Sequence, residues 1–175
     1  MRFRDIPQFT RGASYKVHVG WDYLPDWLED HMTVSSGAQL DLDPDFQRAH
    51  VWSKAKQRAY VEFILRGGQS SRDILFNCVG WMGNFEGPFV LVDGKQRLEA
   101  ARRFLRNDLD VFDGYKFKDF TDRMTHDAHF YVHVNDLKTR AEVLQWYLDL
   151  NTGGVVHTKA ELDKVRALLE EENAA

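Results

Sequence analysis

Asp93-Gly94-Lys95-Gln96-Arg97 sets a carboxylate, a glycine, two cations and an amide side by side. The chemistry open to such a group is the holding of an anion. The residues before it, Phe89-Val90-Leu91-Val92, form a short apolar run that reads as a strand buried on both faces. Asp93-Gly94 breaks the run, and Lys95 to Asn107 carries a helical stripe at Leu98, Ala101 and Leu105, flanked by Ala100 and Phe104. Gly94 permits the turn without Cβ strain, and Asp93 is placed to cap the helix. Lys95 and Arg97 then fall in the first turn, where the helix dipole disfavours a cation by about 0.3–1 kcal/mol. A phosphate in front of them removes that objection, because free N–H groups at a helix start bind phosphate. The alternative is that Lys95 and Arg97 pair with Asp93, Glu99 or a distant carboxylate, and on residue types both readings stay open.

Two other stretches have similar composition. In Asp45-Phe46-Gln47-Arg48, Phe46 can anchor the loop while Gln47 and Arg48 project elsewhere. In Asn151-Thr152-Gly153-Gly154, with His157 close by, the glycine pair allows close backbone approach to a ligand while Asn and Thr offer hydrogen bonds. A helix C-cap and tight turn accounts for one of those glycines, and less well for both together with Asn151 and His157.

Other chemistries lack their signatures. Asp41, Asp43 and Asp45 fail the calcium-loop pattern, having neither its turn glycine nor its closing glutamate, and read as a solvated acidic loop. His126, His129 and His133 suggest a metal, but His129 and His133 lie about 13 Å apart at strand rise, too far to share one ion. No HExxH, no GxxxxGK[ST], no GxGxxG after a strand and no GxSxG occurs. The single cysteine, Cys78, lies in an apolar run and reads as a small core residue.

The elements that must position these groups follow from periodicity. Tyr15–Val19, Asp73–Gly80, Phe89–Val92 and Phe130–Val134 read as strands, the second and third forming an antiparallel hairpin. Asp22–Met32, Lys54–Arg66, Lys95–Asn107, Thr139–Leu150 and a last segment from Thr158 to about Glu171 read as helices, with Ser53 capping the second. At 175 residues with 43% hydrophobic content, one α+β domain with a full core is expected over 1–175. Within it, 1–14 forms an N-terminal arm and 139–172 the C-terminal helices. A net charge of −4 argues against a surface coated to hold a duplex, though not against a local basic cleft. No run is long and apolar enough to span a membrane and no signal-peptide core is present, so the expectation is no membrane partner and a cytoplasmic setting.

Taken in order, DFQR…VW (Asp45–Trp52), VDGKQRLEA (Val92–Ala100) and LNTGG (Leu150–Gly154) resemble one known domain. It is the DGQQR-type domain that forms the N-terminal half of GmrSD-type modification-dependent restriction enzymes, within the ParB/sulfiredoxin-like superfamily. The likeness runs from about Leu40 to Leu169, and the chain is also similar to stand-alone actinobacteriophage proteins labelled ParB-like. The resemblance implies a mixed sheet with flanking helices and a C-terminal helical pair, in a bacterial host cell. It also implies a nucleotide-binding fold whose DGQQR loop and helix start contact phosphates, some members hydrolysing NTP to control a separate nuclease. Asp93, Gly94, Gln96 and Arg97 match the motif by position, while Lys95 replaces its first Gln and adds charge. Asp45, Gln47 and Arg48 match the upstream element, and Asn151 and Gly153 the downstream one. No nuclease half follows in this chain, so autonomous restriction activity is not expected.

The expected function is therefore an NTP-binding domain, as a Mg²⁺-dependent NTPase linked to DNA metabolism or phage–host defence. Lys95, Arg97 and Arg48 would neutralise phosphates, Asp93 would bind Mg²⁺ or orient a water, and Gln96 would position the nucleophile or base. Gly94, Gln47, Asp45, Asn151, Gly153, Gly154 and His157 complete the expected phosphate site. The alternatives are a non-catalytic DNA-associated module, engaging DNA through Arg48 or Arg102 and Arg103, and a small-molecule phosphotransferase. Expected partners are nucleotide, with DNA, a separate nuclease, a host protein or a second copy of the chain as further candidates.

Overall fold

Alternation of buried side chains organises the sheet. A computed structural model describes residues 2, 6, 15–32, 39–81, 83, 85–152 and 159–174. The strands are β1 (Tyr15–Gly20), β2 (Leu40–Asp41), β3 (Asp73–Cys78), β4 (Phe89–Asp93) and β5 (His129–Asn135). The helices are α1 (Leu24–Met32), α2 (Lys54–Leu65), α3 (Lys95–Leu105), α4 (Arg140–Thr152) and α5 (Lys159–Ala174). One five-stranded sheet in the order β1-β5-β3-β4-β2 results. It is mixed: β1 is antiparallel to β5 and β3 to β4, while β3–β5 and β4–β2 are parallel. The fold is thus the expected α+β mixed sheet with flanking helices, and β3–β4 is the expected antiparallel hairpin.

Each face carries its own core. Val19, Ile74, Phe76, Phe89, Leu91, Phe130 and Val132 pack with Trp27 of α1, Tyr60, Val61 and Ile64 of α2, and Leu98, Ala101 and Phe104 of α3. On the other face Val92 joins Phe46, Val143, Leu144, Tyr147 and Leu148, with Val90 and Leu75 against them. Strand β4 therefore sends Phe89 and Leu91 one way and Val90 and Val92 the other, which is why its sequence is continuously apolar. Cys78 is 1% exposed in the first core, and burial, helped by Asp136, pushes its thiol up to about 11. Among the described residues no helix is long and apolar enough to cross a membrane.

Helix boundaries shift in ways that bear on function. Ser53 caps α2 in extended conformation (φ −60°, ψ 158°), its hydroxyl accepting from the Lys56 N–H at 3.2 Å. α4 continues through Asn151 and Thr152, so Asn151 belongs to a helix and not to the loop read from the sequence. Its side-chain amide donates to the Tyr147 carbonyl at 2.6 Å, a bond to the preceding turn that suits a last helical turn.

Candidate functional site

The β4–α3 junction is built by Gly94. It occupies the N-cap position at φ +99°, in left-handed conformation, and no side chain caps the helix. Asp93 is therefore not the cap expected from sequence, because it still belongs to β4. A capping side chain must come from an extended residue directly before the first turn, and the left-handed glycine takes that position. Gly94 is held there by packing as well as by conformation. A Cβ on it would lie 2.5 Å from Ile74 Cδ1 and 3.2 Å from the Asp73 carbonyl of the neighbouring strand.

The uncapped helix start opens into a cavity of about 200 Å³. Val92, Asp93, Gly94, Lys95, Gln96 and Arg97 supply one wall, Gln47, Arg48 and Trp52 a second, and Tyr147 and Asn151 of α4 a third. Arg48, Lys95 and Arg97 line it together with the Asp93 carboxylate. The structure brings together Arg48, Gln47, Asp93, Gly94, Lys95, Gln96, Arg97 and Asn151 of the sequence-derived set. Gly153, Gly154 and His157 lie outside the described residues.

Both first-turn cations have carboxylate partners, so the pairing alternative is realised for each of them. Arg97 Nη2 donates to Asp93 Oδ2 at 2.7 Å. Lys95 Nζ donates to the Asp43 carboxylate and, at 3.0 Å, to the Arg48 carbonyl. Neither pair is well shielded: the Asp93 side chain is 43% exposed and that of Asp43 82%, and exposed pairs contribute about 0–1 kcal/mol. The pairing also leaves donors over. Arg97 Nε is buried and has no hydrogen-bond partner among the described residues, a condition that costs about 1–3 kcal/mol unless something else accepts from it.

The two glutamines position the wall. Gln96 is 8% exposed; its carbonyl accepts from the backbone N–H of Val51 at 3.0 Å and Trp52 at 3.1 Å, and its amide donates to the Ala49 carbonyl at 3.2 Å. Gln47 Nε2 donates to the Leu91 carbonyl of β4 at 2.6 Å. Gln96→Leu should therefore strand three backbone groups, at a cost of about 1–3 kcal/mol for each one that stays buried. Amide exchange at Val51 and Trp52 is the direct readout: both protections should fall while α3 stays protected.

Asp45 is placed elsewhere. It does not line the cavity; both its oxygens accept from Arg140 Nη2 at 2.9 Å, and its carbonyl accepts from Lys164 at 2.5 Å. Arg140 Nε also meets Glu172 at 3.0 Å. Asp45 thus clasps the loop to α4 and α5, with Phe46 beside it packed edge-on against Tyr147 at 5.2 Å.

Tyr147 and Trp52 are wall residues that the sequence reading did not assign to the site. Tyr147 was legible as Asn151's neighbour one turn back on the same helix face. It is 4% exposed, and burial, with Asp93 and Glu161 adding and Arg48 opposing, pushes its phenol up to about 12, so it stays a donor at neutral pH. Of the three histidines, His133 pairs with Asp73 at 2.7 Å and His129 stacks on His18 at 5.1 Å. No group of three His, Cys, Asp or Glu among the described residues could hold a metal ion. Compared with known proteins, the chain matches no family model, no curated protein and no solved structure.

Proposed function

We propose that the cavity at the start of α3 binds the phosphates of a nucleoside triphosphate, and that the protein is a nucleotide-binding domain acting as a Mg²⁺-dependent NTPase. The observation that carries the reading is the glycine-turned start of α3 lining one cavity with Arg48, its buried Arg97 Nε lacking an acceptor among the described residues. A phosphate oxygen satisfies that donor and takes hydrogen bonds from the helix N–H groups. The motif likeness to DGQQR-type domains points to the same chemistry, and Lys95 in place of the first Gln adds a cation to it.

The fit to Mg²⁺ is a test of Asp93. Mg²⁺ keeps most of its waters and is commonly held by one or two carboxylates plus substrate phosphates. Asp93 uses Oδ2 for Arg97, has Oδ1 without a partner among the described residues, and lines the cavity. Mg²⁺ bound there would supply charge neutralisation between phosphate oxygens. The protein's own contributions are Arg97 and Arg48 as phosphate ligands, Gln96 and Gln47 holding the wall in place, and Tyr147 as a neutral donor beside it.

Thermal shift against ATP, GTP and CTP, each with and without Mg²⁺, tests binding; a ligand at 100 times its Kd should stabilise the fold by about 2.7 kcal/mol. Asp93→Asn should remove the Mg²⁺-dependent part of the shift and keep the metal-free part. Phosphate release at the same rate in wild type and Asp93→Ala would refute hydrolysis and leave a binding site.

A further inference from the structure

The cavity at the start of α3 encloses about 200 Å³, below the roughly 300–1,000 Å³ of sites that enclose a whole small molecule. On the phosphate reading it holds the phosphates, and the rest of the ligand must lie at its mouth. Two aromatic rings line the cavity. Tyr147 is 4% exposed and closed into the second core, whereas Trp52 is only partly buried, and Val51 beside it is 56% exposed.

Trp52 is also held unusually firmly for a residue at a rim. Its N–H is bound by Gln96 at 3.1 Å and its carbonyl by Gln57 at 2.8 Å, and Tyr60 meets the ring edge-on at 5.4 Å. The Lys56 ammonium lies over the ring at 5.0 Å. The indole N–H has no protein partner among the described residues and is not among their buried unsatisfied donors, so it is open to solvent at the rim. A fixed, part-exposed indole with an unused donor, beside a phosphate-sized cavity and flanked by a lysine, suits a planar heterocycle carried on a phosphate chain. We propose that Trp52 is the nucleoside-recognition residue of this site, its indole stacking on the base of the bound nucleotide while the phosphates occupy the cavity.

This inference rests on the phosphate reading, and the two fail differently. The experiment measures Kd for tripolyphosphate and for ATP, GTP and CTP in wild type, Trp52→Phe and Trp52→Leu. A single base–aromatic stack corresponds to roughly 5- to 150-fold in affinity. Wild type should bind at least one NTP tighter than tripolyphosphate by a factor in that range. Trp52→Leu should erase the difference with tripolyphosphate affinity kept, and Trp52→Phe, which retains a ring against Tyr60, should keep most of it. NTP-dependent quenching of tryptophan fluorescence should be reduced in Trp52→Phe. Equal wild-type affinity for tripolyphosphate and all three NTPs overturns the role of Trp52 and leaves the phosphate site standing, as does equal weakening of all ligands by Trp52→Leu. Absence of tripolyphosphate binding to wild type overturns both.

Discussion

Arg97→Met is expected to weaken tripolyphosphate and NTP binding by roughly 10- to 150-fold while leaving the fold as stable as before or slightly more so. The binding loss follows from removing hydrogen bonds to a charged ligand, which contribute about 1.5–3 kcal/mol. The stability outcome is what separates a ligand site from a structural ion pair. In the free protein Arg97 gains one bond to an Asp93 carboxylate that is 43% exposed, an interaction near 0–1 kcal/mol. Against that stands a buried Nε without an acceptor among the described residues, which methionine abolishes while filling much of the same space. If Arg97 served the fold alone, the variant should lose stability and the unsatisfied donor would have no purpose. Urea denaturation beside calorimetric titration with tripolyphosphate reads both quantities. Lower stability with unchanged affinity would defeat the phosphate assignment. The expected pattern, function lost at no cost in stability, is the usual mark of a residue kept for binding.

The second large effect concerns the backbone. Gly94→Ala should cost about 2–5 kcal/mol: roughly 1–2 for placing an L-residue in left-handed conformation and roughly 1–3 for forcing a methyl group into packed atoms. The clash is with Ile74 Cδ1 at 2.5 Å and with the Asp73 carbonyl at 3.2 Å. Only the first can yield, because the second belongs to a strand paired on both sides. Ile74→Val removes the obstructing carbon and by itself costs about 0.5–1.5 kcal/mol. The double variant should therefore be more stable than the sum of the single losses predicts, with the residual deficit reporting the conformational part. A Gly94→Ala loss below about 1 kcal/mol would mean that the close approach of α3 to β3 does not govern this turn. On a domain whose whole stability is about 5–15 kcal/mol, the expected loss would also lower the folded population at working temperature, so binding must be measured on the folded fraction.

Legibility from sequence was uneven for reasons that particular residues make plain. The apolar run Phe89–Val92 signalled a strand buried on both faces, and Phe89 and Leu91 do pack on one side with Val90 and Val92 on the other. Asp93 and Gly94 both suit a helix start on residue type, and only backbone conformation separates them, giving the cap position to Gly94 and leaving Asp93 in β4. Asn151 was placed in a turn by the glycines after it, yet α4 runs through it and the Asn151 amide finds the Tyr147 carbonyl. On residue type Lys95 and Arg97 suit either anion ligands or paired cations. They are paired, with Asp43 and Asp93, and still line the same cavity.

The sequence by itself determined what depends on neighbours within a few residues: strand alternation, helix periodicity, the Ser53 cap and the glycine turn into α3. Those interactions span one to four residues and leave their periods in the order of side chains. Tertiary structure alone decided which distant groups meet. Gln96 holds Val51 from 45 positions away and Lys95 holds Asp43 from 52, and Asp45 reaches Arg140 across 95. Local pattern carries no record of such pairings, because they arise where the mixed sheet lays one loop and one C-terminal helix against the end of β4. The five residues Asp93 to Arg97 carry the side-chain types of the proposed phosphate site. The walls that give it a volume, a neutral tyrosine and an indole at its mouth came from the fold.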